Sequence, residues 1–183
     1  AQDALSYLAG GYCFELNGLL LMALEAFGFE ARALLGRVHL SGTPTGRSHQ
    51  VSLVTLDKRQ WLVDAGFGTN TPRAPIPLTP DTPLHIGDQT LRLVENARYG
   101  IMLQSLMGAQ WVDLYSVDFT TVCEGDIQMA NHFTSTWPGL HFTSALATDA
   151  QSPLHYARIT DILSNLPFAQ AMQAKAMHRR GLI

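Results

Sequence analysis

The chain has 183 residues, 46% hydrophobic and only 15% charged, with 12 basic and 15 acidic side chains giving a formal net charge of −3. That balance excludes a disordered segment, which needs low hydrophobicity and high net charge, and it leaves no basic footprint for a nucleic acid or an anionic membrane. Small-molecule partners fit better, and the length suits one compact unit, since domains commonly run roughly 100 to 200 residues.

The first ten residues, AQDALSYLAG, lack a basic region followed by an apolar one, so they do not read as a secretory leader. From Cys13 to Phe27 the apolar residues Phe14, Leu16, Leu20, Leu24 and Phe27 recur at spacings of two to four, with Gly28 as a stop. This predicts a largely buried helix with Cys13 in its first turn. The run Leu19 to Leu24 is too short to span a bilayer, which takes about 20 residues, and Glu25 follows it. From residue 30 to about 119 short apolar or alternating runs are separated by Gly, Pro, Asp and Asn, which predicts strands at 31–40, 48–56, 60–64, 89–95, 100–106 and 110–119.

The stretch 69–83 carries five prolines, which excludes a central strand and reads as a structured loop or a connection. A short helix is expected near 124–133, followed by an irregular segment. Residues 159–180 look helical on both sides of Pro167, with Lys175, Arg179 and Arg180 where a helix C-terminus favours cations. The fold class is therefore α+β: a helix (1–30), a mainly antiparallel sheet or barrel (31–122), and a small helical, lid-like C-terminal part (123–183). Two cysteines, Cys13 and Cys123, in a chain of this size fit a reducing cytoplasm better than a disulfide scaffold.

Three residues in the first third are candidates for nucleophilic catalysis: Cys13, His49 and Asp64. A free cysteine is commonly a small buried hydrophobe, but a thiol in the first turn of a helix faces unpaired N–H groups and the positive end of the macrodipole, which favour the thiolate. Gly10 and Gly11 let the backbone turn tightly into that helix. His49 reads either as a half-buried, hydrogen-bonded strand residue or as a base, and Asp64 either as a turn residue before Gly66 or as the base's orienter. A hairpin turning near Asp57-Lys58 pairs residues whose numbers sum to about 115. Val51 then faces Asp64, and His49 becomes its same-face diagonal neighbour, about 7 to 8 Å away. A one-residue slip would put the two on opposite faces.

In that arrangement His49 takes the proton of Cys13 and Asp64 fixes the imidazole tautomer, which is the machinery of acyl transfer. The backbone N–H groups of Cys13 and of the Ser48 region are expected to form the oxyanion hole.

The segments GGYCFELN, SHQVSLV and WLVDAGFG, in that order and separation, resemble the motifs of the arylamine N-acetyltransferases. NHFTSTWPGLHF extends the resemblance from about Gly10 to about Thr143. The resemblance implies a cysteine-proteinase-like core with Cys13 as nucleophile, His49 as base and Asp64 as orienting acid. It implies an enzyme that takes an acetyl group from acetyl-CoA and passes it to an arylamine, arylhydrazine or arylhydroxylamine. By matching position Phe14, Phe67 and Phe142 would line the acceptor cleft, and Gly66 and Gly68 would meet CoA. The chain departs from the pattern at Ala9, where the family usually has Arg, and in having only twelve residues before Cys13 and 40 after Thr143. It is expected to be either a piece of a longer protein or a reduced member.

Other readings of the same Cys–His–Asp order are a related amide synthase, a transglutaminase-like acyltransferase, or a binding module that keeps the fold without a competent site. A papain-like protease fits poorly, because its histidine lies well over 100 residues beyond the cysteine. The seven histidines form no H-E-x-x-H pattern and the two cysteines are far apart, so no zinc spacing is present.

Overall fold

The computed structural model describes residues 12–137 together with residue 164 and residues 169–171. Helix α1 (Cys13–Ala26) starts where Tyr12 is still extended and donates its backbone N–H to the Glu15 carboxylate at 3.2 Å. That carboxylate satisfies a donor left over at the helix start and complements the dipole. Gly28 ends the helix at φ +81, with Gly28 N–H donating to Glu25 O at 2.8 Å and Phe29 N–H to Leu24 O at 3.0 Å. This paired closure needs a left-handed residue, which glycine supplies.

Eight strands follow: β1 (Glu30–Val38), β2 (Arg47–Leu56), β3 (Arg59–Val63), β4 (Ile76–Pro77), β5 (Leu84–Ile86), β6 (Gln89–Asn96), β7 (Gly100–Met107) and β8 (Gln110–Val117). They form one antiparallel sheet in the order β4-β3-β2-β1-β8-β7-β6-β5, so the β1–β8 pairing joins two meanders. Leu34, Val51, Leu53 and Leu62 share a single buried cluster with Leu91, Leu93, Leu103, Leu114 and Tyr115, which shows that the sheet curls on itself toward a barrel. Helix α2 (Glu124–Thr136) packs against the end of the sheet, with Ile127 and Ala130 on a cluster of Cys13, Phe14 and Leu35.

The predicted elements fall into place with small differences at their ends. Helix α2 runs on through Thr136 instead of stopping near 133, closing with Trp137 N–H donating to Phe133 O at 3.0 Å. The proline-rich stretch holds β4, a two-residue strand paired to β3 at the sheet edge, where Pro77 removes no needed donor. The C-terminal helical segment expected at 159–180 lies almost wholly outside the described residues. Ala171 is described, and it packs against Leu20, Leu24, Phe29, Val54, Val63 and Ala65. Among the described residues no helix is long and apolar enough to cross a membrane.

Candidate active site

The β2–β3 turn decides which side chains meet. Asp57 and Lys58 both take positive φ, +50 and +62, as a two-residue type I′ turn requires. The pairs from Leu56↔Arg59 to Ser52↔Val63 therefore keep residue numbers summing to 115. One step further this register sets Val51 opposite Asp64, with His49 as the same-face diagonal neighbour, and the two side chains close the remaining distance. His49 Nε2 and Asp64 Oδ2 are 2.8 Å apart, with both side chains almost wholly buried.

Strand β2 is buried on both faces. Val51 and Leu53 enter the barrel core, whereas Val54 packs with Leu20 and Leu24 of α1. His49 belongs to the barrel side, with its ring 4.8 Å from those of both Phe67 and Tyr115. Helix α1 packs on the opposite side of β2, and its start delivers Cys13, whose Sγ donates to Ser48 O at 3.7 Å and lies near enough to the His49 ring to favour its charged form. Since Nε2 is held by Asp64, the nitrogen left for the thiol is Nδ1.

Asn17, one helical turn after Cys13, ties α1 to the carboxylate. Its Nδ2 donates to Asp64 Oδ1 at 2.8 Å and to Gln50 O at 2.7 Å, while its Oδ1 accepts Ala65 N–H at 2.7 Å. Gly66 N–H also donates to Asp64 Oδ1, at 2.8 Å. One carboxylate oxygen thus serves the scaffold and the other serves His49. The Tyr115 hydroxyl is buried near this carboxylate, outside the geometry of a direct hydrogen bond; burial and the charge of Asp64 together keep it protonated.

Burial disfavours a charged imidazole here, but the adjacent Asp64 carboxylate, helped by Cys13, overrides it and pushes His49 up to about 10. Burial likewise opposes ionisation of Asp64, and His49, Asn17 and Gly66 reverse it, so Asp64 stays below the usual carboxylate range. Because the His49 value is raised on folding, its contribution to stability is complete below about 6.5, declines as pH rises, and is gone above about 10. The Asp64 contribution is lost at the acid end. Thermal unfolding midpoints should therefore fall between pH 7 and 10, and His49→Gln should flatten that limb; an unchanged slope in the variant would overturn the assignment.

The expected site residues are partly rearranged. Ser48 N–H donates to Gly46 O at 2.8 Å, so the group that Ser48 turns toward the sulfur is its carbonyl, not the oxyanion-hole N–H expected from the sequence. Phe14 is buried against Leu35, its ring edge-on to Tyr12 at 5.9 Å. Phe67 is half-buried over His49, and Phe142 lies outside the described residues. Gly66 runs against the helix start: a Cβ there would lie 2.7 Å from Cys13 Cα. Gly68 has φ +58 and open space around it. Asn17 and Tyr115 were not anticipated. Asn17 had a signal, a polar residue among the buried helix positions Leu16 and Leu20, whereas nothing in the sequence separates Tyr115 from an ordinary strand aromatic. Among the described residues no group of three His, Cys, Asp or Glu is placed to hold a metal.

Comparison with known proteins adds a family. Residues 5–180 match the family model described as N-acetyltransferase. The arylamine N-acetyltransferase of Escherichia coli K12 is 34% identical over 175 residues, which cover 94% of this chain and 61% of that protein. The solved structure of the arylamine N-acetyltransferase of Salmonella typhimurium superposes with TM-score 0.72 at 36% identity, covering 76% of this chain and 51% of that one. That of Mycobacterium marinum, solved in complex with CoA, gives TM-score 0.68 at 35% identity over 73% of this chain and 51% of that one. The chain thus spans about 60% of the length of the E. coli relative.

Proposed function

The chain belongs to the arylamine N-acetyltransferase family, and on that premise we propose that it carries an acetyl group from acetyl-CoA to an arylamine, arylhydrazine or arylhydroxylamine through a thioester on Cys13. The observation that carries this reading is the buried His49–Asp64 bond at 2.8 Å, with Cys13 delivered near the same ring by the start of α1. Cys13 gives its proton to His49 Nδ1, and the thiolate attacks the acetyl carbonyl of acetyl-CoA. A Cys13–acetyl C–S bond forms as the bond to CoA breaks, and His49 returns the proton to the departing CoA sulfur. In the second half the amine attacks the thioester, His49 takes its proton, and the Cys13 thiolate is restored.

Asp64 holds the Nε2–H and leaves Nδ1 to face the sulfur. The N–H of Cys13, first in its helix and without an intrahelical acceptor, is the donor we assign to the oxyanion. Phe67, beside His49, offers a ring to an aryl acceptor. The open backbone at Gly68 admits the pantetheine arm, whereas Gly66 has no room to spare against Cys13. The CoA bound by the Mycobacterium marinum relative supports that donor.

Intact-mass measurement tests the reading. Incubation with acetyl-CoA should add one acetyl group, adding an arylamine should remove it, and Cys13→Ser should show neither change. A folded protein that takes up no acetyl group would overturn the proposal.

A further inference from the structure

Next to residues that pack on Cys13 lies a cavity of about 350 Å³ between the β1–β2 end of the sheet and α2. It is distinct in lining from the Phe67 side of the site, but three of its walls are the nucleophile's own surroundings. Leu35 packs directly on Cys13 and Phe14, Ala130 packs on the same cluster, and the Ser48 carbonyl accepts the Cys13 thiol. The remaining apolar wall is Met129 and Phe133 of α2, both exposed.

We infer that this cavity takes the apolar acyl chain of a thioester donor longer than acetyl, once the acyl group is bonded to Cys13. The inference rests on the acyl-transfer reading above and specifies its donor. An acyl group is the ligand part whose position beside Cys13 a covalent bond would fix, and the cavity begins at the residues touching Cys13. Its volume corresponds to on the order of ten water-sized volumes at ~30 Å³ each, so an acetyl group would leave most of it empty. The charges at its rim are engaged within the protein. Arg47 is paired with Asp118, and Asp126 accepts Cys123 N–H at 2.9 Å at the positive end of α2. What remains to recognise a ligand is a thioether, an aliphatic wall and one ring face, which suits a neutral hydrocarbon chain better than a carboxylate or an amine. The chemistry is the same exchange as for acetyl: the carbonyl carbon moves from the CoA sulfur to Cys13 Sγ, and the CoA thiol leaves protonated.

Loading of the full chain by acetyl-, butyryl- and hexanoyl-CoA, followed by intact mass, gives the first readout. Each methylene should speed loading by roughly twofold, about half the free-energy effect of complete burial because the cavity is open on one side. Ala130→Met, which fills the cavity from α2, and Gly46→Leu, which fills it from the opposite side without a clash, should each flatten the series. A wild-type series that is flat or falls with length, or filled variants that keep the wild-type slope, would overturn the inference. If aniline turnover instead changes in the filled variants while the chain-length series does not, the cavity belongs to the acceptor and the inference fails.

Methyl and hexyl methanethiosulfonate give a readout that needs only the thiol. Preference for the hexyl reagent, lost in both filled variants, supports the chain site even if no acyl-CoA loads, in which case the acyl-transfer reading alone falls. Equal labelling by the two reagents counts against it.

Discussion

Asp64→Asn should lower acetyl transfer by about 10³- to 10⁴-fold in a protein that still folds. The reason is the division of labour between the two carboxylate oxygens. Oδ1 accepts two N–H donors, from Asn17 and Gly66, so in the variant the amide oxygen must occupy that position. The amide NH₂ then faces His49 Nε2 and donates to it, forcing that nitrogen to be the acceptor. The ring proton moves to Nδ1, the side that meets Cys13, and the imidazole is no longer a base toward the thiol. The variant also removes the charge that holds His49 protonated, so the histidine should titrate at a far lower pH than the wild-type value of about 10. Steady-state turnover with an arylamine, together with the histidine titration by NMR, measures both. A loss under tenfold would mean that Asp64 is not orienting the base.

Gly66→Ala should reduce activity by about 100-fold and stability by about 1 to 3 kcal/mol. The added methyl would lie 2.7 Å from Cys13 Cα, 3.0 Å from Asn17 Nδ2 and 3.3 Å from Cys13 Cβ. The first of these neighbours is backbone at the start of a helix and cannot swing aside, so the helix start must shift, carrying the sulfur with it. A displacement of about 1 Å is enough for the activity loss. Gly18→Ala is the matching control, a helical position with open space around it, and should raise stability by roughly 0.5 to 1 kcal/mol without touching turnover. Kinetics and chemical denaturation of both variants decide the matter; a Gly66→Ala protein with wild-type turnover would show that the loop yields and not the helix.

The parts of this site that periodicity and turn chemistry control are legible in the sequence. The His49–Asp64 relation followed from a two-residue turn at Asp57-Lys58, because a type I′ hairpin leaves its strands no other register. Helix α1 was equally plain, since its buried stripe and its glycine stop are both local signals. What escaped the sequence depends on contacts between distant segments. At Ser48 the carbonyl faces the sulfur while the N–H turns to Gly46 O, and no residue type encodes how the two adjoining peptide planes are turned. Asn17 links three chain segments through one amide, a role that only the packing of α1 on β2 and β3 reveals. Strands β4 and β5, of two and three residues, are too short to carry a period at all.

The rings around His49 have a consequence in time and not only in energy. Phe67 and Tyr115 lie 4.9 Å from each other and 4.8 Å each from the imidazole, all steeply inclined, so they wedge the ring from two directions. Rotation of the imidazole about its Cβ–Cγ bond requires both neighbours to move, inside a core packed like a crystal. The two nitrogens are therefore prevented from exchanging places between one turnover and the next. One nitrogen stays on the Asp64 carboxylate, so under the proposed mechanism the other is held toward the sulfur from one cycle to the next.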